Sequence, residues 1–207
     1  VSGESGQADS IFLAVLNPIQ KQLSVLAISR DTMTEIATYD AKGNYIVDSL
    51  NHLGLEYAFG DGKEKSCQYM VDAVSKLFYG IPINGYVAFN METISQLNGC
   101  VTVTVPEGEN ISDKLKSGET VTLNGDDAVS FVRYRDTSVE GSNNLRIARQ
   151  KQYLINFFSG AVKAVQKDVS LPGNLYQDFS SEMVTSSGLD DAVYLVTEAT
   201  EMSFGED

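Results

Sequence analysis

Two short apolar runs open the chain, SIFLAVL at 10–16 and LSVLAI at 23–28, separated by the turn-like NPIQKQ. Their length and β-forming composition predict neighbouring strands, a hairpin buried on both faces. Residues 49–59 space their apolar positions by three and four, and residues 65–78 repeat Met70, Val71, Val74, Leu77 and Phe78 at helical period. Both segments read as helices. GIPING punctuates the chain before YVAF at 86–89, a strand, and METISQLNG, a helix stopped by Gly99. VTVTV at 101–105 alternates strictly, as a half-buried strand does. Residues 113–124 read as a polar loop, and residues 126–134 resume helical spacing. The longest helical pattern, 146–167, gathers Leu154, Phe157, Phe158, Ala161 and Val165 on one broad face. A last helix over 190–202 follows SSGL. Interleaved strands and helices with no repeat or linker predict a single α/β domain over 1–207, with helices covering a central sheet.

The 207 residues are 43% apolar and 21% charged, which excludes disordered and fibrous classes. No stretch approaches eighteen consecutive apolar residues, and VSGESGQADS lacks the basic and apolar regions of a signal peptide. Because the first strand begins about ten residues in, the chain reads as an ectodomain whose upstream segment has been removed. Cys67 and Cys100 have neither CxxC spacing nor histidine companions, His52 being the single histidine, so a zinc site is not expected. They are two buried thiols or one disulfide of an exported protein.

Fifteen Lys and Arg against twenty-eight Asp and Glu give a net charge of -13, which opposes phosphate-rich polymers. Divided by segment, the charge reads differently. Of five arginines, Arg133, Arg135, Arg146 and Arg149 fall within seventeen residues, and the window 131–151 carries +3 while the remainder carries -16. Guanidinium groups match phosphate oxygens bidentately and keep their charge when desolvated. The alternative is surface pairing with the abundant carboxylates, worth about 0–1 kcal/mol per pair. Arg30 follows a strand and precedes Asp31, off the carboxyl end where α/β sheets place ligands. A hairpin brings Asp9 near Arg30, as a salt-bridge partner or a Mg²⁺ ligand.

In order, ADSIFLAVLNP, LSVLAISRD, LNHLGLEYAFGDG, LFYGIPINGYVAFN, LNGCVTVTVP, LNGDDAVSFVRYRD and RIARQ closely resemble the LytR-CpsA-Psr family over about residues 9–163. The resemblance implies an αβα fold with a central mixed β-sheet covered by helices. It also implies a phosphotransferase outside the cytoplasmic membrane of a Gram-positive-type bacterium, anchored by an N-terminal membrane helix absent from this chain. The activity it implies is Mg²⁺-dependent transfer of a glycopolymer (a teichoic acid, capsular polysaccharide or similar) from a polyprenyl-pyrophosphate carrier to peptidoglycan. By the same resemblance, Asp9 matches the metal-associated aspartate and Arg30 the arginine of an RD motif. Arg133 and Arg135 match paired arginines, and Arg146, Arg149 and Gln150 stand in the R-x-x-R-Q motif that contacts the pyrophosphate. Arg30, Arg135 and Asp31 are the expected catalytic residues, Asp31 as a candidate base.

The chain departs from the family pattern at Ser29 in place of proline, and at GSNN, where Ser142 or Asn143 stands in for a common carboxylate. It departs again at Cys100 in place of glycine, and in lacking an aspartate upstream of Asp9. The face Leu154, Phe157, Phe158, Ala161 and Val165 is core packing, a polyprenyl groove, or both. His52 reads as structural on an ordinary helix. A polyprenyl-phosphate-binding module or pyrophosphatase without ligase turnover is the alternative activity. Nucleic-acid binding is opposed by the net charge and the lack of a helix-turn-helix.

Overall fold

The computed structural model describes residues 6–40, 42–90, 93, 101–168 and 170–204. Strands β1 (Ile11–Asn17) and β2 (Gln22–Ile28) form the expected antiparallel hairpin, in register from Ile11 opposite Ile28 to Asn17 opposite Gln22. The turn is held by Asn17 Oδ1, which accepts the Ile19 and Gln20 amides at 3.2 and 3.0 Å. Ile11, Leu23, Val25 and Ile28 are buried, whereas Val15 and Leu26 are about half exposed. Ile11 and Ile28 lie on one face of the hairpin and Leu23 and Val25 on the other, so both faces carry buried positions, while Val15 and Leu26 leave part of the first face open.

Residues 49–59 are not one helix. β3 (Met33–Tyr39) pairs antiparallel with β4 (Tyr45–His52), and only Leu53–Phe59 coil, as a 3₁₀ turn. The apolar spacing there also fits a strand edge, and Ile46 and Val47 favour the extended chain once β3 supplies a backbone ladder. Asp40 Oδ1 closes the ribbon by accepting the Lys42 and Asn44 amides at 2.8 and 2.9 Å, and Gly43 takes the left-handed conformation with φ 79°. Helix α1 (Glu64–Leu77) follows and buries Cys67, Ala73 and Val74. Cys67 is a buried free thiol; Cys100 and the helix expected over 91–99 lie outside the described residues, apart from Thr93.

β5 (Val87–Phe89) pairs antiparallel with β8 (Met183–Thr185). β6 (Val101–Thr104) pairs with β7 (Thr120–Leu123), so the loop expected over 113–124 contains a strand. Valines of β6 point inward while Thr102 meets Thr122, and Thr104 meets Thr120, through hydroxyls at 3.0 Å on the wet face. The alternation TVTL carried that strand inside an otherwise polar stretch. Helices α2 (Gly125–Arg133), α3 (Ser142–Lys167), α4 (Leu171–Phe179) and α5 (Leu189–Ala199) follow along the chain. β9 (Ser203–Phe204) lies parallel to β2.

The α/β reading holds, and the sheet β1-β2-β9 is mixed. Among the described residues the remaining strands pair two by two in three further sheets instead of extending the first. Two apolar cores result. One joins Ile11, Ile28, Ile36, Leu53, Tyr57 and Val74; the other joins Val101, Val103, Leu123, Phe131, Val132 and Tyr153. No helix among the described residues is long and apolar enough to cross a membrane.

Candidate active site

The first core delivers Arg30. β2 ends at Ile28, and a tight turn in which the Thr32 amide donates to the Ser29 carbonyl at 3.0 Å exposes Arg30 and Asp31 at its corner. Gly54, in the 3₁₀ turn, ties this corner to the start of the chain. Its N–H donates to Arg30 O at 2.9 Å and its carbonyl accepts the Ala8 amide at 3.0 Å. Asp9 is thereby set beside Arg30, with Arg30 Nη1 2.5 Å from Asp9 Oδ1 and Arg30 Nε 3.6 Å from Asp31 Oδ1.

The second core delivers the other arginines. Gly141, at φ 76°, starts α3, and its first two residues turn toward the Arg30 corner. Arg135 Nε donates to Ser142 Oγ at 3.2 Å. Asn143 Nδ2 donates to Asp31 Oδ2 at 3.2 Å and reaches Ser29 Oγ at 3.5 Å, while Asn143 Oδ1 accepts Arg146 Nη2 at 2.6 Å. The site thus straddles the seam between the two cores, closed by one asparagine. The N-terminus of a 26-residue helix adds its partial positive charge at the same place.

The electrostatics agree with that geometry. Burial holds the Arg146 guanidinium below its ordinary pKa, Arg135 and Arg30 push it further in the same direction, and Asp31 and Asp9 oppose them. Five charged groups therefore act on one another across a half-buried space, three cations against two acids. Arg146 Nε is buried with no hydrogen-bond partner among the described residues. An orphaned charged donor is costly unless something accepts from it, and an oxyanion with several oxygens does so while relieving the repulsion among the guanidiniums.

Two expected ligands are engaged elsewhere. Arg149 is corrected: it is 1% exposed, donates from Nε to Phe131 O at 3.0 Å and from Nη2 to Tyr134 O, and pairs through Nη1 with Glu109. Every donor nitrogen of its fork is engaged, so it holds the C-terminal end of α2 and offers nothing to a phosphate. Gln150 Nε2 likewise donates to Val132 O at 3.1 Å from a buried position. Arg133, the last residue of α2, is exposed and has no polar partner among the described residues. Along α3, Leu154, Phe157, Phe158 and Ala161 are half-buried and Val165 is buried. Phe157 stacks on Tyr153 with centroids 6.4 Å apart and meets Phe158 edge-on at 5.8 Å.

Four participants escaped the sequence reading. Ser142 and Asn143 stood there only as departures from a pattern. Glu109 carried no signal, its partner lying forty residues on. His52 ends β4 and not a helix, and its Nδ1 lies 3.2 Å from the Asp31 carbonyl oxygen.

Comparison with known proteins completes the picture. The LytR_cpsA_psr family model matches residues 2–201. The chain is 28% identical over 192 residues to the polyisoprenyl-teichoic acid–peptidoglycan teichoic acid transferase TagU of Bacillus licheniformis, covering 91% of this chain and 57% of that protein. It is 32% identical over 152 residues to TagU of Halalkalibacterium halodurans, covering 72% and 45%. The chain thus spans about half the length of the curated relatives it matches. In fold it is similar to the crystal structure of B. subtilis TagV, with TM-score 0.73, 22% identity and 99% and 78% of the two chains covered. The chain belongs to the LytR_cpsA_psr family.

Proposed function

We propose that this chain transfers a glycopolymer of the teichoic acid class from a polyprenyl-pyrophosphate carrier to peptidoglycan, at the outer face of the cytoplasmic membrane where carrier and acceptor meet. The observation that carries the reading is the half-buried cluster of Arg30, Arg135 and Arg146, with Arg146 Nε unpartnered among the described residues. The relatives' names agree with it.

In this reading the guanidiniums of Arg30, Arg135 and Arg146 hold the pyrophosphate oxygens. An acceptor sugar hydroxyl attacks the phosphorus that carries the glycan. The new O–P bond forms, the bridging P–O bond breaks, and polyprenyl monophosphate leaves with the bridging oxygen. Charge growing on that oxygen is offset by arginines already in place, which needs no reorganisation as the reaction proceeds. Asp31 accepts the hydroxyl proton. The half-buried face Leu154, Phe157, Phe158 and Ala161 provides apolar surface for the polyprenyl chain.

The donor chemistry fits Mg²⁺: Asp9 and Asp31 flank Arg30, and Mg²⁺ is held by one or two carboxylates completed by phosphate oxygens and water. Asp9 would be its principal protein ligand, and the ion would supply neutralisation of phosphate charge.

The test is incubation of the protein with a synthetic polyprenyl-pyrophosphate-linked disaccharide and a peptidoglycan oligomer. Stoichiometric polyprenyl monophosphate and glycosylphosphoryl-peptidoglycan are expected. Monophosphate without a transfer product would replace this reading by a pyrophosphatase, and tight binding without either product by a carrier-binding module.

A further inference from the structure

The ribbon β3–β4, the 3₁₀ turn and α1 border an open cleft of about 540 Å³, within the range of small-molecule sites. It shares no residue with the arginine cluster. Buried Ile36 and Ala73 line it, and Tyr39 and Tyr69 form an aromatic wall, stacked at 4.4 Å and 6°. Its charge is lopsided: Glu35, Asp48, Glu56 and Asp72 line it against one cation, Lys76, already paired with Asp48 at 3.2 Å.

Glu56 is the telling member. It is 2% exposed, yet Oε2 has no hydrogen-bond partner among the described residues. A buried carboxylate oxygen left unmatched costs free energy that a donor entering the cleft recovers. A cation already stands beside the tyrosine stack: Lys65 Nζ lies 5.4 Å from the Tyr69 ring centroid and 5.9 Å from that of Tyr39. Anions are opposed by the carboxylates. The aromatic wall beside the carboxylates favours an organic cation over a bare metal ion.

We propose that this cleft is a second binding site, taking a small organic molecule with a protonated primary amine, of the amino-sugar type. The ammonium donates to Glu56 Oε2, and the apolar C–H surface of the ring lies along the edges of the stacked Tyr39–Tyr69 pair. Asp72 and Asp48, at the exposed rim, add long-range attraction, and Lys76 and Lys65 oppose it.

The experiment is titration of the protein at pH 7.0 with D-glucosamine, D-glucose and N-acetyl-D-glucosamine, followed by NMR of the tyrosine rings and by calorimetry in buffers of different ionisation heat. Glucosamine is expected to shift the Tyr39 and Tyr69 signals saturably and to release protons, because the ammonium draws Glu56 into its charged form. The two neutral sugars bind at least about tenfold more weakly. Glu56→Gln loses about tenfold in glucosamine affinity, and Asp72→Asn, at an exposed position that leaves the fold intact, loses about twofold. Equal binding of glucose, unchanged binding in Glu56→Gln, or Mg²⁺ alone shifting the same signals more tightly than glucosamine each overturns the proposal. None of these outcomes bears on transfer by the arginine cluster.

Discussion

Asn143 Oδ1 accepts a hydrogen bond from Arg146 Nη2 at 2.6 Å, while the nitrogen of the same amide donates to Asp31 at 3.2 Å. Only a group with both a donor and an acceptor links a cation to an anion in this way. A carboxylate at position 143 would serve Arg146 and repel Asp31. Asn143→Ala is expected to weaken inorganic pyrophosphate binding about tenfold, as befits one hydrogen bond to a charged group. Asn143→Asp is expected to weaken it further, since it adds a negative charge to the site. Calorimetric titration of both variants checks the order.

Arg30→Ala and Arg135→Ala remove charge from the proposed pyrophosphate site and leave the cores untouched. Transfer is expected to fall by about 10³-fold in each, with thermal midpoints near that of the parent. Near-normal turnover in either variant would show that the reacting phosphates lie elsewhere.

Arg149 has the opposite profile. Replacing it by methionine leaves Glu109, whose side chain is 12% exposed, without its cation, and frees the carbonyls of Phe131 and Tyr134. A loss of about 3–5 kcal/mol in urea unfolding is expected. The double variant Arg149→Met, Glu109→Gln regains part of it, because the buried charge is gone.

Glu56 sets a pH dependence of stability. Burial pushes its carboxyl up to about 7 from an ordinary 4.5, against the pull of Lys76. The folded chain therefore binds a proton that the unfolded chain has released, and stability falls as pH rises from about 4.5 to about 7, then levels. The span is roughly 3 kcal/mol. Thermal scans of the parent from pH 4.5 to 8 should show that decline beneath the other carboxylates' contributions, and Glu56→Gln should flatten it.

The sequence was informative where a local pattern and the tertiary environment agreed. VTVTV made β6, and the repeat Met70, Val71, Val74, Leu77 made α1, because each period matched the face that was buried. It misled at 49–59, where apolar spacing fits a coil or a strand and the decision rested with β3, a partner whose own weak pattern gave no warning. The arginine cluster was legible as composition: four guanidiniums in an acidic chain. Which of them face the ligand was not. Arg146 and Arg149 are identical in kind and three residues apart, and what divides them is an unseen glutamate forty positions upstream of Arg149 and the carbonyl ends of α2.

A Cβ placed on Gly54 would stand 2.9 Å from the Ala8 carbonyl oxygen and 3.1 Å from Arg30 Cβ. Two strands' ends, one bearing an acid and one a base, are thus kept at ion-pair distance by the thinness of the residue wedged between them. Exchange of a single hydrogen for a methyl would pry Asp9 from Arg30 without altering any charged atom, so the tuning of this site extends to a position with no chemistry of its own.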